Sequence, residues 1–211
     1  MYEVYRNGSR IYINSETKIE YPSVTTITSL RNPFKGKPGN SAKIGTLIHH
    51  HILSQYASGI LPAPNVRVWG LPQTEVEDRI QRALTMWRGL KFDEMFKFTD
   101  VETLVIDDVH RYAGRADGIG LDSDGNISVM DIKTGDFYDS YPMQGAAYAK
   151  AVGASSVYFV RLDVNVDRNP DQTGVVHHMD NQAIEESFIE FKRLLDVFYA
   201  SQDLNTKTTK A

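Results

Sequence analysis

The sequence contains no cysteine, which excludes disulfides, thiolate-ligated zinc and cysteine-held iron–sulfur clusters. No apolar run approaches the ~18 residues of a membrane-spanning helix, and the start lacks the charged, apolar and small-residue succession of a secretory signal. A cytoplasmic protein with no membrane partner is therefore expected. Repeats and low-complexity blocks are absent as well. The Gly-Lys-Pro-Gly at residues 36–39 lacks the spacing of a phosphate-cradling loop, and the run beginning at Asp122 lacks the twelve-residue calcium-loop pattern. Net positive charge is missing too, the formal value being −4, so any basic surface must come from distribution. Residues 1–50 hold seven Lys/Arg against three Asp/Glu, whereas the remaining 161 hold 16 against 24. Arg31, Lys35 and Lys37 lie in a Pro/Gly-punctuated loop, which suits either a guide for phosphates or a solvated linker.

At 211 residues with 41% hydrophobic content, the chain suits one α/β domain with a sizeable core. We expect that domain to span 1–204 and the polar residues 205–211 to form a flexible tail. Alternation in the first nineteen residues predicts a hairpin turning at Asn7-Gly8. Helices are expected over Asn40–Ser58, with Ser41 as N-cap, and over Gln73–Leu90, where Val76, Ile80, Ala83, Leu84 and Trp87 recur at helical spacing. Strands are expected at Val101–Ile106, Tyr112–Leu121 and Ile127–Lys133, followed by a helix at Tyr141–Val152. Strands from Ser156 and Gly174 and an amphipathic helix over Ala183–Tyr199 complete the pattern, which implies a mixed sheet flanked by helices.

Chemistry concentrates at the hairpin between the second and third of these strands. Asp117 and Asp131 each lie seven residues from Asp124, the centre of a turn cluster, so an antiparallel hairpin sets them opposite each other. Facing side chains sit about 4.5–5.5 Å apart at Cβ, and like charges there repel. A cation between them would relieve that. The period of two puts Lys133 on the face of Asp131 and Arg115 on the face of Asp117. A one-residue slip would send one acid to the other face. Two carboxylates and a lysine on one sheet face suit metal-assisted phosphodiester hydrolysis, in which Mg²⁺ takes a few carboxylate oxygens and lysine meets negative charge in the transition state. The same trio also suits an Asp–Lys network on a surface hairpin.

Asp117 followed by Asp131-Ile132-Lys133 resembles the signature of the PD-(D/E)XK nuclease superfamily. The surroundings resemble its RecB-like exonuclease branch: GTLIH at Gly45–His49 is similar to a G-T-x-x-H helix, Asp131–Gly135 to D-x-K-T-G, and QGAAY at Gln144–Tyr148 to Q-x-x-x-Y, in the family's order. Small single-domain members, of the phage and mitochondrial genome maintenance types, are most alike, and YPSVTT at Tyr21–Thr26 is similar to their openings. The resemblance implies a restriction-endonuclease-like core and a divalent-metal-dependent deoxyribonuclease, an exonuclease, with Mg²⁺ replaceable by Mn²⁺. The absence of cysteine departs from relatives that carry an iron–sulfur cluster.

By the same resemblance, Asp117, Asp131, His49 and the Ile132 carbonyl would hold the metal, with Glu102 a further acid. Lys133, Gln144 and Tyr148 would serve catalysis, and Arg31, Lys35, Lys37 and Arg115 would meet DNA that is single-stranded or has free ends. Neighbouring helix positions point about 100° apart, so of His49, His50 and His51 only one can face the acids, and the motif selects His49. Two alternatives stay open: a structure-specific endonuclease, and a protein on this fold that binds DNA or a partner without cutting.

Overall fold

The computed structural model describes residues 1–6, 9–31 and 39–208, with backbone only for 203–208. The expected turn at Asn7-Gly8, the candidate DNA contacts Lys35 and Lys37, and residues 209–211 lie outside the described residues. Strands β1 (Tyr2–Arg6), β2 (Ser9–Ile13) and β3 (Glu20–Pro22) form a small antiparallel sheet. Helix α1 (Val24–Thr28) follows, capped by Ser23, whose Oγ accepts the Thr26 N–H at 3.0 Å. Next come α2 (Asn40–Leu53) and α3 (Gln73–Leu90), then β4 (Phe96–Asp107), β5 (Tyr112–Asp122), β6 (Ile127–Lys133), α4 (Ser140–Val152), β7 (Ser156–Arg161), β8 (Val175–Met179) and α5 (Asn181–Thr208).

The five strands β4–β8 line up in chain order. All neighbours run antiparallel except β6 and β7, which are parallel and joined across α4. The β5/β6 register is the one that Asp124 implies: Gly118 faces Met130 and Leu121 faces Ile127, pairs that share that residue as their midpoint. Alternation along β6 sorts the two helical layers. Val129 packs with α1, α4 and α5, while Met130 and Ile132 pack with α2 and α3. A mixed sheet between helices is thus the architecture, in agreement with the sequence pattern.

Each layer follows from side-chain spacing. Ile44, Ile48 and Ile52, four apart, are fully buried along α2, and α3 buries the stripe expected of it. Helix α4 presents Gly145, Ala146 and Ala147 to the sheet, so it approaches closely: a Cβ on Gly145 would stand 2.5 Å from Phe159 Cζ and 2.8 Å from Val157 Cγ1. That approach delivers Gln144 and Tyr148 from the same helix to the end of β6.

Several boundaries differ from expectation. Helix α2 starts after Gly39, not at a Ser41 cap, and ends at Leu53, because Tyr56 is drawn toward Trp87, whose Nε1 donates to its hydroxyl at 2.8 Å. Strand β4 begins five residues earlier than read, with a bulge between Phe98 and Asp100. The short β3 and α1 carry the YPSVTT segment. Helix α5 continues to Thr208, so 205–208 are helical where a frayed tail was expected; no Gly or Pro follows Gly174 to stop it.

The close approach of α4 gives a direct test of packing. Gly145→Ala should lower unfolding free energy by about 1–3 kcal/mol through overpacking. Gly89→Ala, in exposed α3 with nothing within 4 Å of its added carbon, should raise it by about 0.5–1 kcal/mol. Denaturant unfolding of both variants measures this, and an unchanged Gly145→Ala would contradict the packing.

Candidate active site

The β5/β6 ladder stops at Gly118–Met130, one step short of the two acids. Beyond it the Asp117 side chain takes over the ladder's role, Oδ2 accepting the Ile132 N–H at 2.8 Å. Asp117 is thereby fixed against β6. From α2, His49 Nδ1 reaches the same Oδ2 at 3.2 Å. Burial alone would raise Asp117, but His49, Lys133 and the Ile132 N–H together hold it below the ordinary carboxylate range. Burial likewise opposes the charged form of His49, and Asp117 with Asp131 overcomes it and raises the imidazole.

Asp131 is only 2% exposed. Its Oδ2 lies against the Lys133 ammonium yet accepts no aligned hydrogen bond, and its Oδ1 receives a long contact of 3.5 Å from Gln144 Nε2. Burial pushes this carboxyl up to about 6, Lys133 pulling it down and Asp117 pushing it further up. The two acids therefore titrate apart, as a coupled pair in which one stays ionised and the other is easily protonated.

Lys133, 8% exposed, donates to Gln144 Oε1 at 3.1 Å, and its Nζ lies 4.0 Å from the Tyr141 ring centroid. Gln144 Nε2 in turn donates to Tyr148 OH at 3.1 Å, an amide orientation that satisfies both partners. Gln144 and Tyr148, four apart on α4, thus form a relay that aims the ammonium. Tyr148 fits because β5 has Gly114 there; a Cβ at that position would stand 2.5 Å from Tyr148 Cε1. On the other side, a Cβ at Gly45 would stand 2.7 Å from Thr134 Oγ1. The glycine of GTLIH and the threonine of DIKTG are thus a packing contact between α2 and the end of β6.

A cleft of about 690 Å³ opens over this centre, its lining including His49, His50, Glu102, Arg115, Lys133 and Tyr141. Asp117 and Asp131 lie behind that lining. Glu102 adopts φ 50°, a left-handed conformation uncommon for glutamate. Its neighbours Val101 and Thr103 pair with Gly118 and Ala116, while Glu102 itself, opposite Asp117, leaves the ladder. Burial first and Asp117 second raise its carboxyl, and Arg115 donates to its carbonyl. Strain of this kind is costly and collects at functional positions.

The structure therefore brings together Asp117, Asp131, Lys133, Ile132, Gln144, Tyr148 and His49, with Glu102 and Arg115 on the cleft wall. His50 lines the same cleft, while His51 is exposed and its Nδ1 contacts the Leu47 carbonyl at 2.8 Å. Arg31, exposed at the turn after α1, is not part of the lining. Tyr141 over Lys133 escaped the sequence reading, although its position three residues before Gln144 on one helix was the signal. Among the described residues, no three His, Asp or Glu side chains form a group that could hold a metal ion by themselves.

No protein-family model matches the sequence, and no curated protein matches it significantly. Among solved structures, an alkaline exonuclease from Laribacter hongkongensis is similar over 87% of this chain and 92% of its own, at 16% identity and TM-score 0.43. Its complex with dAMP gives 89%, 93%, 14% and 0.46 in the same order. A provisionally assigned exonuclease from Eubacterium rectale gives 82%, 72%, 12% and 0.49. At such identities and scores no residue role transfers, and the site stands on its own geometry.

Asp131 gives a pH signature in the metal-free protein. Its folded value is raised above the unfolded one, so between roughly pH 4 and pH 6 the folded state binds more protons and stability falls as pH rises. The stability of wild type minus that of Asp131→Asn should therefore drop by up to about 3 kcal/mol between pH 4 and 7. Urea unfolding of both proteins at the two pH values reads it, and a pH-independent difference would contradict the burial argument.

Proposed function

We propose that this chain is a divalent-metal-dependent deoxyribonuclease, acting as an exonuclease on DNA. The observation that carries the reading is the buried Asp131 carboxylate whose Oδ2 accepts no aligned hydrogen bond, beside Asp117 and against Lys133, behind the lining of a cleft. A buried carboxylate with one oxygen met only by the Lys133 ammonium and the other by a 3.5 Å amide contact is incompletely satisfied, which favours a further ligand. Mg²⁺, or Mn²⁺ in its place, fits the donor chemistry of two carboxylates and a main-chain carbonyl. Beyond the two carboxylates, the protein donors would be the Ile132 carbonyl and His49 from α2. Such an ion, when bound, would supply a hydroxide-like nucleophile and polarise the phosphoryl oxygen.

The chain's own residues do the rest. Lys133, held by Gln144 and the Tyr141 ring, sets a fixed positive charge where negative charge grows on the phosphate in the transition state. Tyr148 keeps Gln144 from rotating away. Arg115 on the cleft wall meets a neighbouring phosphate, and Glu102 adds a further carboxyl to the same wall. The exonuclease assignment rests on the similarity of GTLIH, DIKTG and QGAAY to the RecB-like branch.

End-labelled linear and closed circular DNA, each single- and double-stranded, incubated with Mg²⁺ or chelator, tests the reading. Linear DNA should be shortened from its ends with Mg²⁺ only. Asp117→Asn and Asp131→Asn should abolish cleavage while remaining folded. Cleavage of the circles would shift the assignment to an endonuclease, and full activity in chelator or in either variant would overturn the metal site. Lys133→Ala should lower turnover by about 10²-fold or more, with DNA binding in Ca²⁺ little changed. Equal losses in both would make Lys133 a phosphate anchor instead.

A further inference from the structure

Between α2 and α3 the chain runs from Ser54 to Pro72 without regular structure, stiffened by Pro62, Pro64 and Pro72. Its first part forms a lip of the cleft through Leu61, Pro62 and Pro64. Five residues past Pro64 stands Trp69, 62% exposed. An exposed tryptophan on a loop would ordinarily be mobile, but this one is tied at its backbone. Asn40, the first residue of α2, donates from Nδ2 to the Trp69 carbonyl at 2.6 Å and accepts the Trp69 N–H at Oδ1 at 3.4 Å. The Arg67 guanidinium lies over the indole, its Cζ 4.9 Å from the ring centroid. The result is a large aromatic face, pre-ordered and backed by a cation, left open to solvent.

Its place relative to the cleft follows from the helix. Ala42, Thr46 and His49, spaced four and three, line the cleft, so the cleft follows α2. Trp69 is pinned at the start of that helix, nine residues before His49. At 1.5 Å per residue the separation along the axis is about 13 Å, and at about 100° per residue Asn40 faces away from Ala42, Thr46 and His49, so a strand meets the indole only after it has left the cleft around the start of α2. An apolar protein partner would bury the Arg67 charge, whereas a nucleic-acid strand supplies both a base to stack and a phosphate to pair with it.

We infer that Trp69, backed by Arg67 and held by Asn40, is a stacking platform for an unpaired nucleobase of a strand that runs on beyond the cleft. The substrate class is then a single-stranded DNA segment. A paired base has both faces covered by its neighbours in the duplex, so the platform engages a strand only where it is unstacked. Because Asn40 fixes the loop before DNA arrives, little ordering cost is incurred on binding. The inference rests on the deoxyribonuclease reading for what happens in the cleft, but not for the binding itself.

Intrinsic fluorescence tests it on the full chain. The protein has two tryptophans, and the other, Trp87, is 3% exposed, so a ligand-dependent change reports Trp69. Titration with a short oligothymidylate in Ca²⁺ should quench the emission. An abasic strand of equal length should bind at least about tenfold more weakly. With affinities read from the fluorescence anisotropy of an end-labelled strand, Trp69→Ala should weaken oligothymidylate binding by about tenfold or more and bind both strands alike, while Trp69→Phe should restore most of the affinity. Trp69 is anchored through its main chain and exposed, so neither variant threatens the fold. Equal affinity of wild type and Trp69→Ala for oligothymidylate, or no quenching, would overturn the platform and favour a protein partner there. Quenching and the Trp69→Ala defect in a protein that cleaves no DNA would uphold the platform and overturn the nuclease reading. Metal-dependent cleavage with no Trp69→Ala binding defect would do the reverse.

Discussion

The carboxylate of Asp131 is buried against the ammonium of Lys133, and the arrangement around the end of β6 can be traced to accommodating that pair. Taking two charges out of water costs several kcal/mol per ion, which mutual attraction recovers only with good geometry and further hydrogen bonds. Here the further bonds are few. Lys133 has Gln144 and the Tyr141 ring, but Asp131 is left with a long amide contact and one oxygen without an aligned donor. A pair made only for stability would be better replaced by packed apolar groups. Its presence just behind the lining of a cleft argues instead for a centre that is completed by what binds there.

The surrounding fold supplies the stiffness such a centre needs. Asp117 is fixed by donating strand geometry to its own side chain, accepting the Ile132 N–H where the ladder would otherwise continue. From the two helical layers, α2 and α4 converge on the end of β6, each made able to approach by a small residue. Gly45 lies on Thr134, and Gly145 lies on Phe159 and Val157. Larger residues at those positions would move His49 or Gln144 by the few tenths of an ångström that matter to a site of this kind.

Much of this was legible in the sequence because it depends on short-range rules. The symmetric spacing of the two acids about Asp124 gave the β5/β6 register, and the 3.6-residue stripe gave α3 to the residue. Resemblance of GTLIH and QGAAY to a known branch, rather than spacing alone, selected His49, Gln144 and Tyr148 as the side chains that converge. What stayed hidden is set by tertiary contact. The early end of α2 depends on Tyr56 meeting Trp87, and the left-handed Glu102 depends on the splaying of β4 and β5 beside Asp117. The value of Gly45 depends on Thr134, almost ninety residues away. Trp69 and Asn40, likewise, are an exposed aromatic and a polar helix start until the structure joins them.

The central claim is that Asp117, Asp131 and the Ile132 carbonyl together hold a divalent cation. Crystals of the protein soaked with Mn²⁺ and measured for anomalous scattering address it without reference to activity. The account predicts one dominant anomalous peak bonded to oxygens of Asp117 and Asp131 and to the Ile132 carbonyl, with Lys133 drawn off Asp131 Oδ2 toward the cleft. A site free of anomalous density at saturating Mn²⁺, with the Asp131–Lys133 pair unchanged, would contradict it.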